Sequence, residues 1–310
     1  MIDYYSPILL PSNGLEYDQI IYLKELTVGS VFVHYDSFYV NTEIGKIISI
    51  INKHFKHEKI NNISDMYYND VIYVWNYLCS KSFNINEIKK PFICTKCGEQ
   101  KTIKIELKDI DIKYLENKNI EMEYQISDNF SVFYRRRKMK DNIHFAFYTL
   151  EENKEDFEYV YNYSKNQILY IKDLKKNKII DKENFKDLLN NVGLKKTLEF
   201  FKEIRKEDFG FESDYFVICD SCQARNEIKV IDPIDISFFH KGLEISTEEY
   251  QGFLENLMVI NSLKYISFNE LLEIPNSKLN LIVEGVKKLQ DQKYGKNKAS
   301  YFDQVLEDEM

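Results

Sequence analysis

Glycine and proline are both scarce, with 10 and 5 in a chain of 310 residues. Long flexible linkers, which are built from Gly, Ser and Pro, are therefore not expected. Histidine is sparse as well, at 5 residues. No His-Glu-x-x-His, no Gly-x-Ser-x-Gly and no glycine-rich phosphate loop occurs. No enzyme signature survives, and a non-enzymatic role is expected. No N-terminal apolar run resembles a secretion signal, and no stretch of roughly 18 or more apolar residues is present to span a bilayer. Positive charge is in deficit: 42 Lys and Arg stand against 50 Asp and Glu, a formal net charge of −8. That balance argues against nucleic acid as a general partner, because such affinity comes mainly from neutralising phosphates.

Against these absences stand two short stretches that look alike although far apart. They are Phe92-Ile93-Cys94-Thr95-Lys96-Cys97 and Val217-Ile218-Cys219-Asp220-Ser221-Cys222. After them, Thr102-Ile103-Lys104-Ile105 matches Glu227-Ile228-Lys229-Val230, and Asp109-Ile110-Asp111-Ile112 matches Pro233-Ile234-Asp235-Ile236. Each unit reads as strand, cysteine knuckle, alternating strand and a second β-like tetrapeptide. A Cys-x-x-Cys turn brings both sulfurs to one side of a tight hairpin. Two knuckles face to face supply four thiolates, the donor set of a closed structural zinc site. Cys94, Cys97, Cys219 and Cys222 are thus the expected ligands of one zinc ion per chain. The competing reading is two unrelated pairs, disulfide-bonded or reduced. A redox pair normally opens a helix, whereas both pairs here lie between β-like runs, so the site reads as structural. Unexported pairs of this kind also suit a reducing cytosol. Zinc ribbons usually leave roughly 15–20 residues between pairs. Here residues 98–218 intervene, so the interval must be a domain in its own right, its ends brought together by the metal.

In chain order, residues 7–10 and 19–23 read as strands around Pro11-Ser12-Asn13-Gly14, where Asn and Gly tolerate positive φ. Thr27 is placed to cap a helix. Ile44, Ile47, Ile48, Ile51 and Phe55 form one helical face over 43–56. A third helix follows over 66–81 with Trp75 inside, and Cys79 reads as a buried residue of it. Strands are expected at 120–126, 130–138 and 143–150, while 155–172 carries both helical and strand periods. Phe185, Leu188, Leu189 and Val192 mark a helix. A second follows with Leu194, Leu198, Phe201 and Ile204, ending near Phe209-Gly210. Further on, Ser246 with Glu249 and Ser267 with Glu270 have capping-box spacing. Tyr250, Phe253, Leu254, Leu257 and Met258 stripe one C-terminal helix; Leu279, Ile282, Val283, Val286 and Leu289 stripe the last. The expected fold is α+β: a helical N-terminal region (1–90), a split four-cysteine zinc ribbon (91–115 with 214–240), a large inserted α/β domain (116–213), a C-terminal helical extension (241–294) and an acidic tail (295–310).

Two further clusters invite a functional reading. Arg135, Arg136, Arg137 and Lys138 follow Phe130 and Phe133, cations interleaved with aromatics that can stack on bases. This supports a second function, a zinc-ribbon regulator that binds nucleic acid. The blander reading is the solvated edge of a strand, where charge discourages edge-to-edge pairing, and the acidic whole favours it. His54 and His57 have i, i+3 spacing, but no third ligand is near in sequence.

With these residues in place, the chain resembles the baseplate hub proteins and hub-assembly factors of T-even-type contractile-tailed bacteriophages. The likeness rests on Leu10-Pro11-Ser12-Asn13-Gly14-Leu15-Glu16-Tyr17, then Asp70 ahead of a helix, the knuckle Cys94, Cys97, Gly98, and Phe238-Phe239 after the second knuckle. It covers about residues 8–240. Two positions depart from the pattern: Gln223 replaces a glycine after the second knuckle, and Gly29 stands where an acidic residue is expected. The resemblance implies a non-enzymatic tail component, located in the virion after assembly in the host cytoplasm, with other baseplate, hub and tail proteins as partners.

Overall fold

The computed structural model describes residues 5–35, 43–83, 87–141, 157–204, 208–212, 214–229, 252, 254–255, 257–258, 260 and 267–294. It is mixed helix and strand, as the α+β expectation required. Strands β1 (Ser6–Leu9) and β2 (Ile20–Leu23) pair antiparallel, from Ser6↔Leu23 to Leu9↔Ile20. Their connection turns at Asn13 and Gly14, both at positive φ (54° and 75°). Helix α1 (Val28–Tyr35) starts where Thr27 caps it, the Thr27 Oγ1 accepting from Ser30 N at 3.3 Å. Helix α2 (Glu43–His54) buries Ile47, Ile48 and Ile51, but the helix stops before Phe55. Phe55 and Lys56 form β3 instead, paired with Leu23 and Tyr22, because β2 still has an open edge there. Asn62 caps a short 3-10 turn. Helix α3 (Tyr68–Phe83) begins two residues later than the apolar periodicity indicates, since Tyr67 is drawn out to bridge Lys138. Trp75 and Cys79 lie buried in this helix, as expected, within the first hydrophobic core.

Strands β4 (Glu87–Ile93) and β5 (Gln100–Glu106) form the first knuckle hairpin. The tetrapeptide at 109–112 is not a full strand. A 3-10 turn at Leu107–Asp109 leads into the two-residue β6 (Ile112–Lys113). The inserted segment then builds a four-stranded antiparallel sheet, ordered β10-β9-β8-β7, from β7 (Glu121–Ser127), β8 (Phe130–Arg135), β9 (Ile168–Asp173) and β10 (Lys178–Ile180). Helix α4 (Phe157–Ser164) precedes β9, which explains the mixed periodicity over 155–172: a short turn separates a helix from a strand. The strand expected at 143–150 lies outside the described residues. Helices α5 (Phe185–Val192) and α6 (Leu194–Ile204) are parted by Gly193. They lay Phe185, Leu189 and Phe200 on Ile126, Val132 and Ile171 of the sheet, making a second core.

Helix α6 does not run on to Phe209-Gly210. Gly210 opens β11 (Gly210–Phe211), which pairs with β6 through Lys113↔Gly210 and Ile112↔Phe211. Gly210 sits at φ 107°, and a Cβ there would meet Asn69 Cβ at 3.1 Å, so the position requires glycine. The second knuckle hairpin follows as β12 (Asp214–Ile218) and β13 (Arg225–Lys229). The matching tetrapeptide at 233–236, Phe238-Phe239 and the Ser246–Glu249 box lie outside the described residues. Helix α7 (Phe268–Leu272) opens with the expected capping box: Ser267 accepts from Glu270 N, and the Glu270 carboxylate accepts from Ser267 N. Helix α8 (Asn276–Tyr294) follows. Leu271, Leu279 and Val283 pack with Val28 of α1 in a third core. The C-terminal extension thus folds back on the N-terminal region, with Leu272 O only 3.0 Å from where a Gly29 Cβ would stand. Among the described residues, no helix is long and apolar enough to cross a membrane.

Candidate metal centre

The two knuckle hairpins are built alike. Ile93 pairs with Gln100, and Ile218 with Arg225, so in each case the residue before the first cysteine faces the third residue after the second. Cys94 N donates to Glu99 O (3.0 Å) and Gly98 N to Cys94 O (2.9 Å). In the second knuckle, Cys219 N donates to Ala224 O (2.9 Å) and Gln223 N to Cys219 O (2.7 Å). Gly98 takes φ 72°, and Gln223 takes φ 57° in the same role. A side chain in this left-handed region costs on the order of 1 kcal/mol, and Gln223 Nε2 donates to Asp220 O at 3.1 Å in return. The second knuckle therefore keeps its turn without glycine.

These turns bring the four cysteines of distant sequence together. The Cys94 and Cys222 sulfurs are 3.6 Å apart, the Cys97 and Cys219 sulfurs 3.8 Å, and all four lie within 4.8 Å of one another. A metal–sulfur bond of about 2.3 Å gives tetrahedral edges of about 3.8 Å, which two edges of the cage match, and its other edges, at 4.8 Å or less, are compatible with a tetrahedral thiolate site. No cysteine is in a disulfide. The backbone N–H groups of Cys97 and Lys96 pull the Cys94 thiol down to about 6. At Cys97 the Glu99 N–H pulls the same way, but desolvation and the three neighbouring sulfurs outweigh it and push the thiol up to about 12. Four sulfurs this close cannot all ionise unless a cation joins them.

Two residues besides the four cysteines bridge the knuckles, and nothing in the local sequence announces them. Asn226 of β13 is 3% exposed and accepts from both Thr95 N (2.9 Å) and Thr95 Oγ1 (3.0 Å). Lys101 of β5 pairs with Asp220 and donates to Ser221 Oγ at 2.8 Å.

The basic run behaves unlike either sequence reading. Strand β8 ends at Arg135, and the run turns inward instead of lining a solvated edge. Arg135 grips both carboxylate oxygens of Asp141 at 2.8 Å. Arg136, 7% exposed, binds both oxygens of Asp208 and the carbonyls of Asn117 and Asn119. Arg137, 9% exposed, donates to Tyr163 and lies 3.8 Å over the Tyr68 ring. Lys138 pairs with Glu16 at 2.5 Å. The solvated-edge expectation is corrected, and the cations needed for a nucleic-acid surface are engaged inside the chain. The run fastens the inserted sheet to α3, with Tyr68 N donating to Arg137 O and Met139 N to Met66 O.

The histidine pair also separates. His54 is buried and held down to about 4 by that burial, with Nε2 at 2.6 Å from Ser30 Oγ. His57 instead meets Asp18 O (3.1 Å) and accepts from the amides of Lys59 and Ile60. The Ser12–Tyr17 signature has a clear use. Ser12 N donates to one oxygen of buried Asp70 (2.9 Å) and Tyr17 OH to the other (2.6 Å), while Tyr17 OH accepts from Tyr67 N (2.8 Å). The signature is thereby tied to the first turn of α3, and Leu115 N bonds Pro11 O to draw in the chain after the first knuckle.

The chain is thus α+β, its distant cysteines converge on one cage, and the inserted segment meets the N-terminal region through the Lys138–Glu16 pair and the Arg137–Tyr68 contact. A family model described as T4 bacteriophage base plate protein matches residues 37–240, and the chain belongs to that family. The match spans both knuckles and everything between them. Comparison with curated proteins and with solved structures found no match.

Proposed function

We propose that the chain is a non-enzymatic component of the hub region of a contractile-tail baseplate, either built into the hub or acting while it assembles. In this reading Cys94, Cys97, Cys219 and Cys222 bind one zinc ion, which ties the two ends of the inserted segment into a split ribbon. The observation that carries it is the coincidence of baseplate-family membership over 37–240 with a four-sulfur cage whose members all fall inside that interval. Four protein sulfurs complete a tetrahedral ion and leave no position for water or substrate, so the ion fastens rather than reacts. The proposed division is an N-terminal region (1–90), the ribbon (91–115 with 214–240), the insertion (116–213), the C-terminal extension (241–294) and a tail (295–310). Partners are other baseplate, hub and tail proteins, and the location is the virion tail after assembly in the host cytoplasm. Exposed apolar side chains on the outer faces of the knuckle hairpins, Ile93, Phe216 and Ile218, suit a subunit that buries surface in an assembly.

Quantitative mass spectrometry of purified tail particles tests this reading. A fixed ratio of a few copies to other tail proteins identifies a built-in subunit. Presence only with immature hub intermediates identifies an assembly factor, and absence from both refutes the proposal. Elemental analysis is expected to find one zinc per chain, lost in the Cys97→Ser, Cys222→Ser double variant.

A further inference from the structure

The two knuckle repeats are related in more than their cysteines. Lys101 is the fourth residue after Cys97, and Asn226 the fourth after Cys222; Thr95 directly follows Cys94, and Asp220 directly follows Cys219. From these matching positions each side chain crosses to the other knuckle. Asn226 Oδ1 accepts from the N–H and hydroxyl of Thr95, while its Nδ2 donates to Ala224 O at 3.0 Å and lies 3.6 Å from Cys94 Sγ. Lys101 crosses the opposite way, pairing with Asp220, donating to Ser221 Oγ and lying 3.5 Å from a Glu99 oxygen. Asn226 donates to a sulfur directly, and the Lys101 ammonium is held on the two residues between Cys219 and Cys222, where it feels the Cys219 sulfur through charge. That matters because four thiolates around a divalent ion carry a net double negative charge, which a hydrogen bond to sulfur and a nearby ammonium both relieve.

We propose that Asn226 and Lys101 form a reciprocal clasp that sets the knuckles in register and, by drawing charge from the sulfurs, governs how tightly the metal is held. This rests on the zinc reading above. The clasp needs no metal to form, since its bonds run between side chains and backbone of the two hairpins. Closing the cage from separate knuckles would otherwise require the ion to capture two sulfur pairs carried by segments remote in sequence. With the clasp made, the ion meets sulfurs already near tetrahedral spacing. Asn226 acts on Cys94 by a direct hydrogen bond, whereas Lys101 acts through its charge. The two halves of the clasp therefore have different signatures.

The test is chelator competition for zinc on the full chain, with cobalt(II) substitution as a spectroscopic readout. Asn226→Ala and Lys101→Met are each expected to weaken zinc binding about 10–100-fold and to speed its extraction. Lys101→Arg, which keeps the cation, is expected to restore most of the loss. Lys104→Met, which removes an outer-face pair with Glu87, is expected to match the wild type. In the cobalt form, Asn226→Ala is expected to shift the thiolate-to-metal charge-transfer band, a change that loosened packing alone does not produce. Should Asn226→Ala fail to fold, Thr95→Val, which deletes only the hydroxyl bond, carries that half of the test with a smaller loss in the same direction. Wild-type affinity and extraction rates in Lys101→Met and either Asn226→Ala or Thr95→Val overturn the clasp while leaving the zinc site standing. A wild-type chain that binds no zinc overturns the zinc reading itself.

Discussion

Asp70 offers a test that is independent of any metal. Its carboxylate is fully buried and accepts from Ser12 N and Tyr17 OH, and Tyr17 OH in turn accepts from Tyr67 N. Asp70→Ala leaves the Ser12 and Tyr17 donors buried without an acceptor, at about 1–3 kcal/mol each. With partial relaxation, the expected loss is about 3–5 kcal/mol, read as a lower urea midpoint at an unchanged m-value. Tyr17→Phe breaks the bonds to Asp70 and to Tyr67 N, so the double variant is expected to lose clearly less than the sum of the two singles. The pH dependence follows from burial, which pushes the Asp70 carboxyl from 3.8 up to about 6 against the hydrogen bonds from Ser12 and Tyr17. Between those values the folded chain holds a proton that the unfolded chain has released, so this group's contribution falls as pH rises through the window. The shift corresponds to about 3 kcal/mol. Wild type minus Asp70→Asn should therefore lose about that much stability from about pH 3 to pH 7. A loss below about 1 kcal/mol for Asp70→Ala, or additive behaviour of the two variants, would refute the network as described.

Removing the proposed zinc is expected to loosen the paired knuckles without releasing the insertion. The ends of the insertion are closed a second time by β6 and β11, by Glu212 N to Asp111 O and by Asn69 Nδ2 to Phe209 O. Hydrogen exchange with chelator should deprotect residues 94–100 and 219–225 while the β7–β10 sheet keeps its protection; simultaneous loss in both would show that the metal alone closes the segment. Gly29→Val forces a Cβ to within 3.0 Å of Leu272 O, and is expected to cost about 1–3 kcal/mol. Limited proteolysis should place the new cleavage in 267–294 and leave α3 intact. Arg136→Met strips a buried guanidinium from Asp208, whose side chain is 40% exposed and can rehydrate. A loss of about 2 kcal/mol in a denaturant titration is expected, below the roughly 3–5 typical when a fully buried pair is broken.

Some of this protein is decided within a few residues and can be read directly from the chain. The Cys-x-x-Cys knuckles, the apolar face of α5, the Thr27 cap and the Ser267–Glu270 box all depend on near neighbours and formed where the pattern indicated, while the faces of α2 and α6 formed without Phe55, which joins β3, and without Leu194, which is exposed. The paired knuckles and the signature around Ser12 and Tyr17 also carried the family resemblance, of which the family match over 37–240 bears out membership among T4-type baseplate proteins and includes the knuckles but not the signature. Other features depend on partners remote in sequence. The arginine run looks like a surface in isolation because Asp208, Tyr163 and the carbonyls of Asn117 and Asn119 arrive only through folding. The β6–β11 closure is two residues a side, too short to leave a period. Gly29 reads as a departure until Leu272 packs against it, and Asn226 is an ordinary strand residue until the opposite knuckle meets it. The sequence by itself determined which segments curl, which extend and which sulfurs are available to a metal, because backbone propensity and side-chain spacing are local. Only the tertiary structure decided which charges are buried, what closes the insertion and how the C-terminal extension docks, because each of these is set by a contact between residues that the chain keeps far apart.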